Sequence, residues 1–189
     1  FIYNIYFLKI EKKIYINFYF NNNMQIVSWN VAGLRAMLKK EHFKEFLENV
    51  EYDIVCLQET KAEENQVKLP EYIQKNYQYQ FWNSSKGTTQ RKGFSGTTIW
   101  SKIEPIKMYN PEFDEEGRIS VIEFEKFRLI NVYVPNSQKL ENDRYYFRQE
   151  WNKKFYNFIE NSKDKEIIIC GDLNVAHLDI DICNPKQKK

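Results

Sequence analysis

Ile167-Ile168-Ile169-Cys170-Gly171-Asp172-Leu173-Asn174 decides the reading of this chain. A short apolar run rich in β-branched residues and stopped by glycine reads as a buried strand. The first residue past the glycine is a carboxylate, and an amide follows two residues later. Three other apolar runs end in the same way. Residues 25–29 run into Ser28-Trp29-Asn30, residues 54–57 into Gln58-Glu59-Thr60, and residues 129–134 into Tyr133-Val134-Pro135-Asn136. A sheet that aligns these ends along one edge gathers the polar groups into one cleft, carried on rigid elements.

Working outward, short strands alternate with helical patterns, the mark of a mixed α/β domain. Residues 39–50 place Phe43, Phe46, Leu47 and Val50 on one helix face. Asp143 is in position to cap a long helix whose Phe147, Trp151, Phe155 and Ile159 recur at every fourth residue. That aromatic stripe reads as core packing, because helical spacing explains it without a ligand. Residues 94–101 and 119–124 read as further strands joined through a charged turn at 114–117, with no internal repeat.

The 189 residues suit one domain, and 42% hydrophobic content supplies a core. A net charge of +2 is too small to identify a nucleic-acid binder by bulk electrostatics. Of the three cysteines, Cys56 and Cys170 sit inside apolar runs, which reads as reduced thiols in an intracellular compartment rather than a disulfide framework. Only His42 and His177 are available and no two cysteines are close, so a structural zinc has almost no ligand set. Residues 1–23 differ from the rest: apart from Leu8 and Glu11 they are Phe, Ile, Tyr, Asn or Lys, a set that A/T-only codons specify. Their charges interrupt any run of the roughly 20 apolar residues a membrane helix needs. With Met24 as the natural start, 1–23 are expected to be an extension or leader outside a domain spanning 24–189.

Carboxylates beside amide oxygens suit a hard cation such as Mg²⁺, which takes few protein ligands and completes its shell with water and phosphate. Phosphodiester hydrolysis follows from that inventory. Singly, each residue has a plainer reading. Asn30 and Asn174 fit turns or caps, Tyr133 an amphipathic core position, Glu59 a solvated strand end and Asp172 a turn after glycine. Their joint occurrence at successive strand ends favours a site.

Three strings carry a resemblance: Ser28-Trp29-Asn30-Val31-Ala32-Gly33-Leu34-Arg35, Leu57-Gln58-Glu59-Thr60-Lys61, and Cys170-Gly171-Asp172-Leu173-Asn174-Val175-Ala176-His177. They closely resemble the exonuclease III/AP endonuclease family. Gly93-Phe94-Ser95-Gly96, Glu116-Gly117-Arg118, Val132-Tyr133-Val134-Pro135-Asn136, Tyr146-Phe147-Arg148-Gln149-Glu150-Trp151 and Asn184-Pro185-Lys186 follow in the family's order. The resemblance implies a four-layer α/β sandwich of the endonuclease/exonuclease/phosphatase (DNase I-like) type. It also implies a monomeric, Mg²⁺-dependent enzyme, with Mn²⁺ as an alternative, in the nucleus or an organelle. The substrate would be duplex DNA containing abasic sites, incised on the 5′ side, with 3′-to-5′ exonuclease activity in addition.

By the same resemblance Glu59 is the metal ligand, with Asn30, Asp172 and Asn174 around it. Asp172 orients or deprotonates the attacking water, Asn174 and Asn30 align it with the phosphate, and Tyr133 hydrogen-bonds the scissile phosphate. Arg35, Lys40, Arg118, Asn136, Lys139 and Asn184 match positions near the DNA backbone, in a binding mode dominated by phosphate contacts and an extruded sugar.

The chain also departs from the family. Ala32 stands where many relatives carry Asp or Asn beside the metal, and Lys139 where some place an arginine, whose planar fork a lysine cannot reproduce. The family's distal Asn-x-Gly-Trp-Arg-x-Asp-Tyr segment and terminal Ser-Asp-His are not found, and neither His42 nor His177 lies in an equivalent motif. The expectation is therefore the N-terminal two-thirds of the domain, inactive as it stands. Two other readings stay open: a non-catalytic nucleic-acid-binding fragment, and a phosphatase or phosphodiesterase of the same fold. The strings at 57–61 and 116–118 fit DNA repair better than the latter.

Overall fold

In the computed structural model, which describes residues 4–10, 13–20, 24–49, 52–87, 93–137 and 142–175, the strands form two sheets. The first sheet has the order β1-β2-β3-β4-β6-β5, built from β1 (Asn4–Ile10), β2 (Lys13–Phe20), β3 (Met24–Asn30), β4 (Ile54–Gln58), β5 (Tyr79–Asn83) and β6 (Thr97–Ser101). The second has the order β10-β9-β8-β7, from β7 (Lys107–Tyr109), β8 (Ile119–Glu123), β9 (Phe127–Tyr133) and β10 (Glu166–Asp172). Helices α1 (Leu34–Met37), α2 (Glu41–Asn49) and α3 (Glu71–Asn76) accompany the first sheet, and α4 (Asp143–Glu160) the second.

Side-chain alternation along the strands produces the layers. Between the sheets lie Ile26, Ile54, Cys56 and Ile99 from one side and Ile122, Leu129 and Cys170 from the other. On the outer face of the first sheet, Val27, Trp29, Val55, Leu57 and Trp100 pack on Leu34, Phe43, Leu47 and Ile73. On the outer face of the second, Ile119, Val121, Ile130 and Val132 pack on Trp151, Phe147, Phe155 and Ile159 of α4. The result is the expected helix–sheet–sheet–helix sandwich. Truncating Ile54 or Leu129, both fully buried, to alanine would cost about 2–5 kcal/mol.

The interior changes character along its length. β3 pairs parallel with β4 and β9 parallel with β10, so all four run their C-terminal ends toward the site. The inward row begins with Ile26, Ile54, Leu129 and Ile168, and becomes polar at Ser28, Gln58 and Asn131. Gln58 donates to Ser28 Oγ at 3.0 Å and to Asn131 Oδ1 at 2.6 Å. Asn131 in turn donates to the Leu57 and Thr98 carbonyls, both at 3.0 Å. This buried amide layer is the floor of the site.

Several sequence expectations change here. Residues 94–101 and 119–124 belong to different sheets, and the strand of the former begins at Thr97, after a turn through Ser95 and Gly96, both with positive φ. The short strand β7 intervenes before the charged turn at 114–117. The cap of α4 is Asn142, not Asp143: Asn142 is extended and its Oδ1 accepts from Tyr145 N at 2.8 Å, which leaves Asp143 in the first turn, where its charge complements the helix terminus. Val50, expected on the buried face of α2, lies outside the described residues. Ahead of Met24 the described residues form β1 and β2, with β2 antiparallel to β3 and Ile16 opposite Ser28. The β-branched and aromatic run in residues 13–20 has the composition of a strand. Among the described residues no helix is long and apolar enough to cross a membrane.

Candidate active site

At the C-terminal ends of β3, β4, β9 and β10 the register brings the polar residues together. Asn30 lies opposite Gln58, the residue before Glu59, and Tyr133 opposite Asp172. Asn30 makes the connection between the sheets: its amide nitrogen donates to Glu59 Oε1 at 2.9 Å and to Asp172 Oδ2 at 2.7 Å. Its own carbonyl accepts from Ala32 N at 3.0 Å, which fixes the amide's orientation. Asp172 Oδ1 accepts from Asn174 N at 2.9 Å, so both oxygens of that carboxylate have partners. Asn174 donates its amide to the Val134 carbonyl at 2.7 Å, closing the loop after β10 onto the end of β9.

The backbone at these strand ends is unusual. Ala32, Glu59, Lys61, Ser95 and Asn174, all beside the site, are non-glycine residues in the left-handed region. Such conformations cost on the order of 1–3 kcal/mol each and persist where surrounding bonds over-determine them. Here Gly33 N donates to the Glu59 carbonyl at 2.7 Å, and Thr60 and Lys61 donate to Gly96 and Ser95 at 3.1 and 3.0 Å. Gly171 is a strand residue rather than a turn residue, with φ 134; a Cβ there would overlap the Val132 carbonyl oxygen, so β10 approaches β9 closely enough to seat Asp172 beside Tyr133. The turn comes later, at Asn174.

The electrostatics follow from these contacts. Burial raises the pKa of Glu59, but hydrogen bonds from Lys61, Asn30 and Tyr133 outweigh it and hold the carboxyl below its ordinary range. Lys61 Nζ sits 2.8 Å from Glu59 Oε2. Tyr133 is pushed up to about 12 by burial and by the Glu59 carboxylate, with Arg118 opposing. The phenol therefore stays protonated at neutral pH and is a hydrogen-bond donor.

The DNA-facing expectations divide. Arg35 and Lys40 are exposed on and just after α1, and Asn136 is exposed after β9. Lys139 and Asn184 lie outside the described residues. Arg118 is not a surface residue: it is 2% exposed, with Nε on Glu116 Oε2 at 2.6 Å, Nη1 on the Tyr133 carbonyl at 3.1 Å, and its guanidinium between the rings of Tyr133 and Phe94. Its place is behind Tyr133. Sequence reasoning also missed the placement of Lys61 on Glu59, although the lysine stands in the string that identified Glu59.

The oxygen-only donor set fits a hard cation. Glu59 and Asp172 supply the carboxylate oxygens, and the Asn30 amide holds the pair together through its N–H group while its own oxygen is turned to Ala32 N. No cluster of three His, Cys, Asp or Glu side chains occurs among the described residues, so a cation held here would complete its shell with water and substrate oxygens, as Mg²⁺ does.

A sequence model described as the Endonuclease/Exonuclease/phosphatase family matches residues 27–189. The chain is 40% identical over 171 residues to the exodeoxyribonuclease of Bacillus subtilis, covering 88% of this chain and 64% of that protein. It is 37% identical over 174 residues to the DNA-(apurinic or apyrimidinic site) endonuclease of Dictyostelium discoideum, covering 89% and 46%. The structure of a 3′ phosphatase from Neisseria bound to product DNA hairpin superposes with a TM-score of 0.73 at 21% identity, over 87% of this chain and 63% of that one. The chain thus spans less than two-thirds of the length of these relatives. With the family matched over most of its length and the four-layer sandwich shared with solved structures, the chain belongs to the Endonuclease/Exonuclease/phosphatase family.

Proposed function

We propose that this chain carries the catalytic carboxylates of a Mg²⁺-dependent DNA-repair nuclease that hydrolyses the phosphodiester on the 5′ side of an abasic site. The observation that carries the reading is the Asn30 amide bound at once to Glu59 and Asp172. It ties a candidate metal ligand on one sheet to a candidate general base on the other. The similarity to an exodeoxyribonuclease and an AP endonuclease selects DNA among phosphodiesters.

Glu59 would hold the cation, with Asp172 and Asn174 as further oxygen donors beside it, while the Asn30 N–H group holds the two carboxylates in place. A bound Mg²⁺ supplies charge neutralisation at the phosphate. Asp172, held at both oxygens, takes a proton from the attacking water. The new P–O bond forms as the bond to the 3′ oxygen breaks; the 3′ oxygen takes a proton from solvent water to become a hydroxyl, and a 5′ phosphate is left on the abasic sugar. Tyr133, kept as a phenol, donates to a non-bridging phosphate oxygen. Arg35, Lys40 and Asn136 offer contacts to the DNA backbone outside the reacting group.

The test is incision of a duplex with one tetrahydrofuran abasic analogue, with and without Mg²⁺, next to a recessed 3′ end without a lesion, by this chain alone and by the chain joined to the distal part of the Bacillus subtilis exodeoxyribonuclease it matches. Lesion-dependent, EDTA-sensitive cleavage 5′ to the analogue supports the reading. Degradation confined to the 3′ end makes the chain part of an exonuclease instead, and cleavage of neither leaves the abasic-site reading without support.

A further inference from the structure

We propose that helix α4 is the positioning element of this site, acting through Arg144 and Arg148. The inference rests on the nuclease reading for its catalytic consequence but not for its geometry. The two arginines are four residues apart, so their side chains share one face of the helix. Each reaches a different half of the site, and neither touches a group assigned to the chemistry by its side chain.

Arg148 holds the loop after β10. Its Nη1 donates to the Asn174 carbonyl at 2.9 Å and its Nη2 to the Leu173 carbonyl at 3.3 Å. A planar guanidinium can satisfy two successive carbonyls in this way; an ammonium on a flexible stem cannot hold both in the same geometry. The loop needs such a clamp, because Asn174 sits at φ 48. With the carbonyls held, Asn174 N points at Asp172 Oδ1 and the Asn174 amide at Val134. Arg148 thereby fixes the rotamer of Asp172 through the backbone.

Arg144 holds Tyr133 through two intermediaries. It is bidentate to Glu116, with Nη1 on Oε1 at 2.8 Å and Nη2 on Oε2 at 3.2 Å, and its guanidinium rests 4.4 Å from the Phe147 ring centre. Glu116 is 3% exposed and also binds Arg118. Arg118 completes the line with its guanidinium 4.7 Å from the Tyr133 ring centre. A buried carboxylate between two arginines is compensated; with one of them removed it draws water or rearranges. Loss of Arg144 would therefore loosen Arg118 and the tyrosine ring that rests on it.

The experiment uses the full chain with Arg144→Met, Arg148→Met and the corresponding lysine substitutions. Ring signals of isotope-labelled tyrosine, with Tyr133 assigned from Tyr133→Phe, and the amide signal of Asn174 are read by NMR. Incision of the abasic duplex is measured in parallel with the same substitutions in the chain joined to the distal part of the Bacillus subtilis exodeoxyribonuclease. Arg144→Met is expected to shift the Tyr133 ring and spare the Asn174 amide, and Arg148→Met to do the reverse. Each should lower kcat about 10- to 100-fold, the scale expected of a small misplacement of catalytic groups, with little change in KM. Arg148→Lys, which keeps a donor for one carbonyl rather than two, should give an intermediate value. Should a methionine variant fail to fold, its lysine counterpart is read for the same local shifts. A fall in melting temperature with both signals unmoved, and with unchanged turnover per folded molecule, overturns the proposal. If the wild-type chain joined to that distal part does not cut abasic DNA, the substrate reading fails, while the NMR shifts still decide whether α4 positions the two loops.

Discussion

Gln58 of the first sheet donates its side-chain amide to Oδ1 of Asn131 in the second at 2.6 Å, directly beneath the site. Neither is a charged group, and both are buried to within 1%. Asn131 is also the donor to two carbonyls of the opposite sheet, so the pair fixes how the sheets sit against each other where the carboxylates meet.

Asn131→Leu should therefore destabilise the fold although leucine suits a sheet interior. It removes the 2.6 Å bond from Gln58, which keeps Ser28 Oγ and the Cys56 carbonyl as acceptors, and takes a buried side-chain donor from the Leu57 and Thr98 carbonyls, at about 0.5–1.5 kcal/mol for each bond lost. Urea denaturation should show a lower midpoint with an unchanged slope. A midpoint equal to that of the wild type would mean that the amide layer is dispensable.

Acid stability should depend on Glu116. Burial raises the pKa of this carboxyl, but Arg144 and Arg118 outweigh it and the net position is below the ordinary value of 4.5. The unfolded chain then binds the Glu116 proton more readily than the folded one, so the stabilisation is present above 4.5 and is lost as the pH falls through the lowered folded value. Glu116→Gln should be less stable than wild type at neutral pH, and the gap should narrow as the solution is acidified. Melting temperatures followed from pH 7 to pH 3 for the two proteins check this; parallel curves would remove Glu116 from the acid limb.

The sandwich and the convergence of Asn30, Glu59, Tyr133 and Asp172 at one sheet edge were legible because they depend on local pattern. Short apolar runs at residues 26–29 and 54–57 mark strands buried on both faces, and the polar residue at the end of each run marks the edge where they meet. Strand β5 was not legible, because Tyr79–Asn83 mixes aromatic and polar residues without alternation and lies at the edge of its sheet. Three-residue β7 and four-residue α1 are too short to leave a period. Arg118 was misplaced for a different reason. Its nearest partner, Glu116, is two residues away, but the second cation that makes the buried carboxylate tolerable, Arg144, lies 28 residues beyond Glu116. A single sequence does not display that pairing, and an arginine in a motif then reads as a surface contact.

Glu59→Ala should change the response to metal. It removes one of the two carboxylates at the site and leaves Lys61 beside the position they share. Titration of incision with Mg²⁺ should show a half-maximal concentration raised by about tenfold or more, a typical scale for losses around a metal site. Direct binding of Mn²⁺, followed by its paramagnetic signal, should weaken in parallel. An unchanged metal response in both measurements would return Glu59 to the role of a structural strand-end carboxylate held by Asn30 and Lys61.

Asp172→Asn separates chemistry from architecture at the other carboxylate. The substitution keeps the size of the side chain and one oxygen, so the bond from Asn174 N can persist. What is lost is the negative charge that accepts a proton from water. The Asn30 amide also loses a charged acceptor at 2.7 Å, but its bond to Glu59 remains. If Asp172 is the general base, single-turnover incision of the abasic duplex should fall by about two to four orders of magnitude. The dissociation constant for the same duplex in Ca²⁺ should stay within a few-fold of wild type, because removing a group that acts only in the transition state spares ground-state binding. Rate and affinity falling together, with a lowered melting temperature, would instead identify Asp172 as a strut between the Asn30 amide and the Asn174 loop, and the attacking water would then need its base elsewhere in the site.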